Sequence, residues 1–523
     1  MPDRATALVQ RLLRDDAPPF ALLRRRTPGR DHDTVEVLTG PVREVDRLAA
    51  IPVGELPSLA LVPFRQIAER GFDVRDDGTP LAVLSAEDSC ELPLDEVLAA
   101  LPAHAVRVED GAFDVPDEEY ADIVRRVVED EIGRGEGANF VVRRTFGGGI
   151  PGFGRADALA LFRRLLAGER GAYWTFVVHT PDRTLVGASP EVHVRMSGGT
   201  VVMNPISGTY RYPESGPTAE GLLAFLADRK ETEELSMVVD EELKMMCTVG
   251  DMGGVVVGPR LKEMAHLAHT EYELRGRSTL DAREVLKETM FAATVTGSPV
   301  QNACRVIERY ESEGRGYYAG ALALLRREPG GTQSLDSPIL IRTADISPAG
   351  RLRVPVGATL VRHSDPAGEV AETHAKAAGV LAALGVRPGR PEAEADRPRL
   401  ASDPRVQAAL EDRRGRWHRS GCGCRSARHG RPATRWWWTA RTPSPRCWRT
   451  CCGPRVSWSR CAVTTSPGCA RWWRRTRGPS CWGRGPVTRG TRPTRRCGCC
   501  GGSPPGWCAT TGTGCWGCAW AMS

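Results

Sequence analysis

The chain has 523 residues, and its composition changes abruptly after Asp412. Beyond that residue there is no Leu, Ile, Phe, Tyr, Asp, Glu, Lys, Asn or Gln. A segment without large aliphatic side chains cannot form an ordinary hydrophobic core, and without acids its arginines have no partners. The same 111 residues hold 22 Arg, 12 of the 13 Trp and 14 of the 17 Cys. Residues 413–523 are therefore interpreted separately from the body.

The body, residues 1–412, lacks an excess of positive charge, a disulfide framework and any long apolar run. Because the tail holds 22 Arg and no acid, the net charge of +7 for the whole chain becomes −15 for the body. An acidic body does not favour nucleic-acid binding, and its three cysteines (Cys90, Cys247 and Cys304) are typical of a reduced compartment. No signal-like segment opens the chain and no run of about 18 apolar residues could span a bilayer. The sequence therefore predicts a cytoplasmic protein without a membrane segment.

Three interpretations compete for the tail. A basic arm that binds nucleic acid is a remote alternative, since Arg and Trp can contact phosphates and stack on bases. A zinc module is weaker, because Cys515 and Cys518 form a lone CxxC, and His418 and His429 lie far from it. The favoured interpretation is translation out of frame. Codons that start at the third base of each present codon can give LGLCLGHE from residues 515–523. This peptide resembles the G-x-C-x-G turn of class I glutamine amidotransferases, so the tail is expected to be a non-native, disordered segment without glutaminase activity.

The body has the pattern of an α+β protein. Three segments show helical spacing, at Pro116–Gly135, Ala219–Met246 and Ala367–Leu384. Strand-like runs lie at 139–142, 173–179, 192–196 and 201–203. This mixed order favours α+β over a βαβ repeat. The sequence predicts an N-terminal lobe over 1–115, a catalytic domain over 116–386 and a linker, which opens rich in Pro, Arg and acid, over 387–412.

Two of the predicted helices carry acidic pairs at helical spacing. Glu231 and Glu234 project from one face of the first helix, and Glu369 and Glu372 do the same on the second, with Lys376 one turn further on. Paired carboxylates suit Mg²⁺, which commonly takes one or two of them and leaves its other positions for water and a substrate anion. A solvated acidic face is the commoner explanation of such spacing.

Two further residues are candidates for chemistry. His269 could act as a general acid or base, although a buried core histidine is the commoner case. Arg342 lies in the apolar run Ile339–Thr343, which predicts a strand. A buried guanidinium needs an anion, and a substrate carboxylate could supply one.

Eight short motifs extend this interpretation. They are GASPE (187–191), PISGT (205–209), KETEELSMVVD (230–240), MAHLAHTEYELRG (264–276), TVTGSP (294–299), RGYYAG (315–320), ILIRTA (339–344) and SDPAGEVAETHAK (364–376). The set resembles, in order, the motifs of chorismate-utilising enzymes of the anthranilate synthase component I family, and most closely the branch that serves phenazine pathways. The resemblance implies a two-lobed α+β fold with antiparallel sheets and outer helices, and a homodimer.

The resemblance also implies a set of site residues. Mg²⁺ would be held by Glu234 and Glu372, with Glu369 and Glu231 beside it. Chorismate would contact the following residues, the glycines and their neighbours through the backbone: Asn139, Gly208, Thr209, Tyr318, Arg342, Gly357, Ala358, Thr359 and Lys376. His269 and Thr294 would lie at the reacting ring.

Two positions separate the reactions within this family. Ser207 stands where relatives that make aminodeoxychorismate have a nucleophilic lysine, and Asn139 stands where relatives that make isochorismate have a lysine that activates water. An amide cannot act as that base, whereas ammonia is already nucleophilic. The resemblance thus implies attack of ammonia at C2 of chorismate, with Mg²⁺ as Lewis acid and Glu231 as proton donor, giving 2-amino-2-deoxyisochorismate. Glutamine would supply the ammonia only through an intact glutaminase. Anthranilate synthesis, which adds pyruvate elimination near His269, is the alternative.

Overall fold

A computed structural model describes residues 4–213, 215–386 and 400–420, with the short pairs 425–426 and 436–437; beyond residue 414 only the backbone is described. Its helices, within these residues, are Arg4–Leu12 (α1), Leu94–Ala100 (α2), Asp117–Arg126 (α3), Arg155–Gly168 (α4), Ala219–Ala227 (α5), Arg229–Val249 (α6), Ala282–Thr289 (α7), Val300–Tyr310 (α8), Pro366–Ala383 (α9) and Pro404–Ser420 (α10). A π-helical turn, Val127–Ile132, continues α3, and 3₁₀ turns lie at Leu48–Ala50, Phe64–Arg70 and Leu400–Ser402.

The strands form two large antiparallel sheets. Strands β1 to β10 are Phe20–Arg25, Thr34–Thr39, Val42–Val45, Ser58–Val62, Leu81–Ser85, Asp88–Pro93, Glu109–Phe113, Asn139–Gly149, Trp174–His179 and Thr184–Ser189. Strands β11 to β20 are Val192–Ser197, Thr200–Asn204, Ile206–Arg211, Gly254–Glu263, Leu267–Arg277, Gly297–Ser298, Ala321–Arg327, Gln333–Pro338, Thr343–Ile346 and Arg351–Val361. A separate two-residue ladder joins Arg425–Ser426 (β21) to Trp436–Trp437 (β22).

Each large sheet has ten strands and draws on both halves of the body. The first runs β16-β8-β20-β19-β10-β9-β1-β2-β6, with β7 beside β8. The second runs β13-β15-β12-β11-β18-β17-β4-β5-β3, with β14 beside β15. Hydrogen bonding therefore crosses the boundary predicted at residue 115, for example between β1 and β9 and between β4 and β17. That boundary stays a prediction from the sequence.

The sheets pack against each other on one face and against helices on the other. Leu23 and Phe176 of the first sheet share a buried cluster with Leu61 and Leu322 of the second. The outer face of the first sheet packs with α1, α2, α4 and α9, and that of the second with α6, α7 and α8. Apolar strands buried on both faces between such layers satisfy their backbone groups through the ladders. The predicted α+β class, with antiparallel sheets and outer helices, is confirmed. No helix among the described residues combines the length and apolar character needed to cross a membrane.

The helix predicted over Ala219–Met246 is two helices. Asp228 separates them with extended backbone, and its carboxylate accepts a hydrogen bond from the backbone N–H of Glu231 at 3.2 Å. An Asp at this position satisfies one of the free N–H groups of a new helix. The single-helix prediction was wrong because helical periodicity continued across the cap. The break places Lys230 and Glu231 in the first turn of α6.

The C-terminal part of the predicted linker is a docked helix. Residues 387–399 lie outside the described residues, but 404–420 form α10, and Val406 and Leu410 are buried against Leu222 and Leu226 of α5. Residues 404–412 of the predicted linker are thus helical, since their apolar residues recur at i and i+4 and find a partner face, and residues 413–420 of the tail continue α10. The linker itself stays a prediction from the sequence. Most of the tail lies outside the described residues.

Candidate active site

A cavity of about 520 Å³, counting its opening to solvent, brings together most of the site residues predicted from sequence. Its predicted lining residues are Gly208, Thr209, Glu234, His269, Thr294, Tyr318, Arg342, Gly357, Thr359 and Lys376. They come from both sheets and from α6 and α9. Clefts lined by a few convergent polar groups are typical of small-molecule sites.

Four carboxylates meet beside the cavity; Glu234 lines it, whereas Glu231, Glu369 and Glu372 are not among its lining residues. The ammonium of Lys230 lies 3.1 Å from Glu234, 3.2 Å from Glu231, 3.3 Å from Glu369 and 4.0 Å from Glu372. The sequence predicted this grouping of α6 and α9 and gave Lys230 no role. Since all four glutamates are at most partly exposed, the solvated acidic face is not what the structure contains.

The carboxyl groups of Glu231, Glu369 and Glu372 differ in their pKa values. Burial, reinforced by Glu234, raises the pKa of Glu231 to about 8, and burial with Glu372 nearby raises the pKa of Glu369 to about 7. Burial acts in the same direction on Glu372, but the ammonium groups of Lys376 and Lys230 outweigh it and lower its pKa to about 2. Glu372 therefore stays ionised at neutral pH.

Glu234 links this cluster to the backbone of β13. Its Oε1 accepts hydrogen bonds from the hydroxyl of Ser207 at 2.7 Å and from the N–H of Gly208 at 3.1 Å. Gly208 has φ +71°, and a Cβ there would come within 2.4 Å of an oxygen of Glu231. Only glycine fits both the backbone angle and the close approach of the carboxylate.

Arg342 and His269 form the opposite side of the cavity. Arg342 donates to Nε2 of His269 at 3.0 Å, and Nδ1 of His269 lies 2.6 Å from the carbonyl oxygen of Gly208. These partners assign the proton of the neutral imidazole to Nδ1. Burial and the Arg342 charge lower the pKa of His269 to about 3, so the ring stays neutral.

Arg342 does not lie inside a strand, as its apolar neighbours had predicted. It follows β18 in a connection to β19, with φ +54°, an angle that non-glycine residues rarely adopt. Such backbone angles persist where the surroundings determine them and are concentrated at functional sites. Burial lowers the pKa of the guanidinium although the charges of Glu169 and Glu372 oppose this, and none of the ion pairs within 4 Å among the described residues involves Arg342. The group is therefore available to an anionic ligand.

Tyr318, Gly357 and Lys376 complete the wall beside Arg342. Lys376 donates to the carbonyl oxygen of Gly357 at 3.0 Å and pairs with Glu372 at 2.7 Å. A Cβ on Gly357 would lie 2.8 Å from the hydroxyl of Tyr318. The missing side chain at Gly357 lets this strand approach the tyrosine closely.

Two predicted contacts are not at the cavity wall. Ala358 alternates with Gly357 and Thr359 along β20, so its side chain joins the buried cluster around Tyr120. Asn139 is fully buried at the start of β8, and its amide lies 3.5 Å from the carbonyl oxygen of Ala293. Contact of Asn139 with a substrate stays a prediction.

Glu191 is a lining residue that the sequence reasoning missed, although the GASPE motif contains it. Its Oε1 accepts a hydrogen bond from the hydroxyl of Thr294 at 2.7 Å, and burial raises its pKa to about 8. Thr294 thus acts on the site through Glu191. The carboxyl of Glu242 is buried as well, and burial together with Glu191 raises its pKa. The sequence signal that could have identified Glu191 is a carboxylate directly after an apolar strand, as in GASPE.

The acidic cluster has the donors that a divalent cation needs. Among the described residues, no three His, Cys, Asp or Glu side chains are positioned to coordinate one metal ion together, since Lys230 lies between the carboxylates. Mg²⁺, however, commonly uses only one or two protein carboxylates. One oxygen of each of Glu231 and Glu369 is buried without a hydrogen bond, and Oε2 of Glu234 has only the ammonium of Lys230, at 3.1 Å. Oxygens with so few partners fit a cation of higher charge than an ammonium.

The amino-acid sequence is similar to one family model and to several known proteins. A family model described as chorismate binding enzyme matches residues 82–382. The chain is 51% identical over 394 residues to "Anthranilate synthase, phenazine specific" of Pseudomonas chlororaphis, a match that covers 73% of this chain and 61% of that protein. The protein of the same name from Pseudomonas fluorescens matches with the same identity and coverage. The chain thus spans about 61% of the length of these relatives.

Solved structures share the fold. The menaquinone-specific isochorismate synthase of Escherichia coli superposes with a TM-score of 0.58 at 18% identity, over 73% of this chain and 91% of that one. Anthranilate synthase component I of Streptococcus pneumoniae gives 0.53 at 23% identity, over 69% and 90%. At such identities the likeness shows the fold alone. Because the family model matches more than half of the residues, this chain belongs to the family of chorismate-binding enzymes.

Proposed function

We propose that this protein adds ammonia to C2 of chorismate and releases 2-amino-2-deoxyisochorismate in a phenazine-like secondary pathway, with Mg²⁺ as cofactor. The observation that carries the proposal is the two-ended cavity. Arg342, which forms no ion pair within 4 Å in the described part of the chain, lies on one side, and the carboxylate cluster around Lys230 lies on the other. A dicarboxylate substrate such as chorismate needs one cationic contact for each of its acids.

Arg342 and Tyr318 would bind the enolpyruvyl carboxylate. The backbone at Gly208 and Thr209 would position the ring, with its own carboxylate toward the cluster. Glu234 and Glu372 would hold the cation, Glu231 and Glu369 lying beside them. Mg²⁺ bound there would neutralise the ring carboxylate and act as a Lewis acid toward the leaving hydroxyl.

Glu191 is the better proton donor than Glu231, which the sequence had favoured. Both carboxyls have a pKa near 8, but Glu191 lines the cavity, whereas Glu231 is engaged with Lys230. In the step, the C2–N bond forms as the ring double bonds shift and the C4–O bond breaks. The hydroxyl leaves as water with the proton from Glu191, and the added ammonium group returns one proton to the Glu191 carboxylate, so that chorismate and ammonia give the amine and water.

Ser207 and Asn139 support ammonia as the nucleophile. Ser207 cannot form the covalent amine adduct that a lysine would, and Asn139 offers no base to activate water. With most of the tail outside the described residues, ammonia itself is the proposed nitrogen source for this polypeptide.

Pyruvate elimination to anthranilate is the second candidate, and it is favoured by the relatives, which are named anthranilate synthases. That step needs a base for the proton on C2. Both nitrogens of His269 are engaged, with Arg342 and with the carbonyl oxygen of Gly208, which supports a reaction that stops at the aminated product.

The test supplies the full chain with chorismate, Mg²⁺ and ammonium salt, and follows chorismate loss by chromatography with mass detection. We expect consumption that depends on ammonium and a product that retains the enolpyruvyl group. Absence of consumption at high ammonium would overturn the proposal, and accumulation of anthranilate would replace it with the second candidate. A Glu372→Gln variant serves as the inactive control.

A further inference from the structure

Lys230 is the one residue of the acidic cluster to which the proposed reaction gives no task. It lies in the first turn of α6, and its ammonium is within 4.0 Å of carboxylates from both α6 and α9. Buried carboxyl groups this close together must either take up protons or be neutralised by a cation. Lys230 therefore holds the two helices' glutamates together when no metal is bound.

The neutralisation by Lys230 is incomplete. An ammonium has three N–H donors; that of Lys230 reaches Oε2 of Glu234 at 3.1 Å, but one oxygen each of Glu231 and Glu369 remains buried without a hydrogen bond. A divalent cation with its bound waters would satisfy more of these oxygens than the ammonium does. The cluster therefore has unpaired oxygen ligands that a divalent cation could use at the position of the ammonium.

Lys230 differs from Lys376 in its partners and not in its exposure. The side chains of Lys230 and Lys376 are 16% and 18% exposed, and within the described residues the ion pairs of Lys230 are all to the four glutamates. Lys376 is held additionally by the carbonyl oxygen of Gly357 at 3.0 Å. A flexible four-carbon stem lets an ammonium of this kind move into solvent when its place is taken.

We infer that Lys230 is a tethered cation which occupies the divalent-cation position of the metal-free protein, and that metal binds by exchange with its ammonium. The inference rests on the proposed function, which assigns Mg²⁺ to this cluster. Lys230 is a positioning residue: it keeps the carboxylates assembled and competes with the metal. The apparent metal affinity is then reduced by the fraction of molecules in which the lysine holds the position.

The first test measures Mg²⁺ binding by calorimetry to the EDTA-treated full chain without substrate. Lys230→Met removes the competing charge and should bind Mg²⁺ about tenfold more tightly than wild type, as expected if the position is free in roughly a tenth of wild-type molecules. Lys230→Arg keeps a cation and should keep the wild-type affinity. Lys244→Met is the matched control, because Lys244 lies on the same helix and pairs with Asp240 and Glu241 instead.

Without metal, Lys230→Met should also melt at a lower temperature than wild type and recover on adding Mg²⁺. Equal or weaker Mg²⁺ binding by Lys230→Met would overturn the inference. If none of the proteins binds Mg²⁺, the metal assignment falls and the inference with it. If wild type binds Mg²⁺ but consumes no chorismate with ammonium, the proposed reaction falls while the exchange stands.

A second test uses wild type alone, so it does not depend on a variant that folds. Acetylation of lysines, quantified by mass spectrometry with and without Mg²⁺, reports whether each ammonium is free. Labelling of Lys230 should increase several-fold on adding Mg²⁺, and labelling of Lys244 should not change. Unchanged labelling of Lys230 at saturating Mg²⁺ would overturn the exchange.

Discussion

Glu191 shows at the residue scale how burial changes the chemistry of a carboxyl. Its surroundings raise its pKa to about 8, and its only side-chain hydroxyl partner in the described part of the chain is Thr294. A carboxyl that keeps its proton at neutral pH can donate it to a leaving hydroxyl.

The Glu191→Gln variant tests this role. The donor is protonated below about pH 8 and ionised above it, so the wild-type rate should fall as the pH rises through that value. Glutamine cannot donate a proton, so we expect the turnover of the variant to be lower by roughly 10²-fold or more. The decrease in rate above about pH 8 should also be absent from its pH profile. Glu131→Gln, at a buried carboxylate paired with Arg309, is the control. An unchanged profile in Glu191→Gln would contradict the assignment.

Arg342 gives a second prediction at this scale. Lysine retains the charge at this position but loses the planar pair of donors. We expect Arg342→Lys to raise KM for chorismate by about tenfold or more, the equivalent of ~1.4 kcal/mol or more of binding, with a smaller effect on kcat. Steady-state kinetics would show this, with Arg353→Lys as a control at the exposed pair with Glu313. A KM equal to that of wild type would show that the guanidinium does not bind the substrate.

At the scale of elements, two aspartates set where the carboxylate-bearing helices begin. Asp228 caps α6, and Asp365 caps α9 through a 2.7 Å hydrogen bond from the N–H of Gly368. The first turn of each helix then carries Glu231 or Glu369 to the cluster. Caps of this kind fix the axial position of the acids as well as the helix itself.

Removing the cap at Asp228 should weaken the fold measurably. We expect Asp228→Ala to lower the free energy of unfolding by about 1 kcal/mol. Urea unfolding followed by circular dichroism would measure it, with Asp122→Ala, at an exposed residue paired with Arg125, as the control. If both variants unfold like wild type, the cap contributes nothing.

At the scale of the whole molecule, the composition break and the fold do not coincide. The helix α10 runs from Pro404 to Ser420, across the break at residue 412, and docks on α5. The glutaminase that the shifted frame suggests and the nucleic-acid alternative concern the tail, most of which lies outside the described residues. Both stay predictions, as does the homodimer. The relatives extend beyond the matched segment, as the 61% coverage shows.

The nitrogen source is the prediction that belongs to this scale. A tail translated out of frame has no glutaminase, so glutamine should not replace ammonium in the turnover of this polypeptide. Parallel assays at equal concentrations of glutamine and ammonium salt would decide it, with an intact glutaminase of the same class added as the positive control. Turnover with glutamine alone would refute the out-of-frame interpretation.

Much of the site was predictable because local patterns carry it. The i, i+3 spacing of Glu231 with Glu234 and of Glu369 with Glu372 fixes a shared helix face before any tertiary contact forms. The motif resemblance placed Arg342, His269 and Tyr318 at one cavity, where the structure has them. The secondary structure around Arg342 was not predictable in this way, since the residue's positive φ depends on what surrounds it.

The sequence alone determined the family, the α+β class, the acidic helix faces and the change of composition at residue 412, because each depends on residue types and near-neighbour spacing. Only the tertiary structure decided that Lys230 lies among all four carboxylates, that Glu191 is buried enough to keep its proton, and that α10 docks on α5. These properties depend on burial and on distances between residues far apart in the chain. Such distances are set by how the sheets and helices pack, which local spacing does not encode.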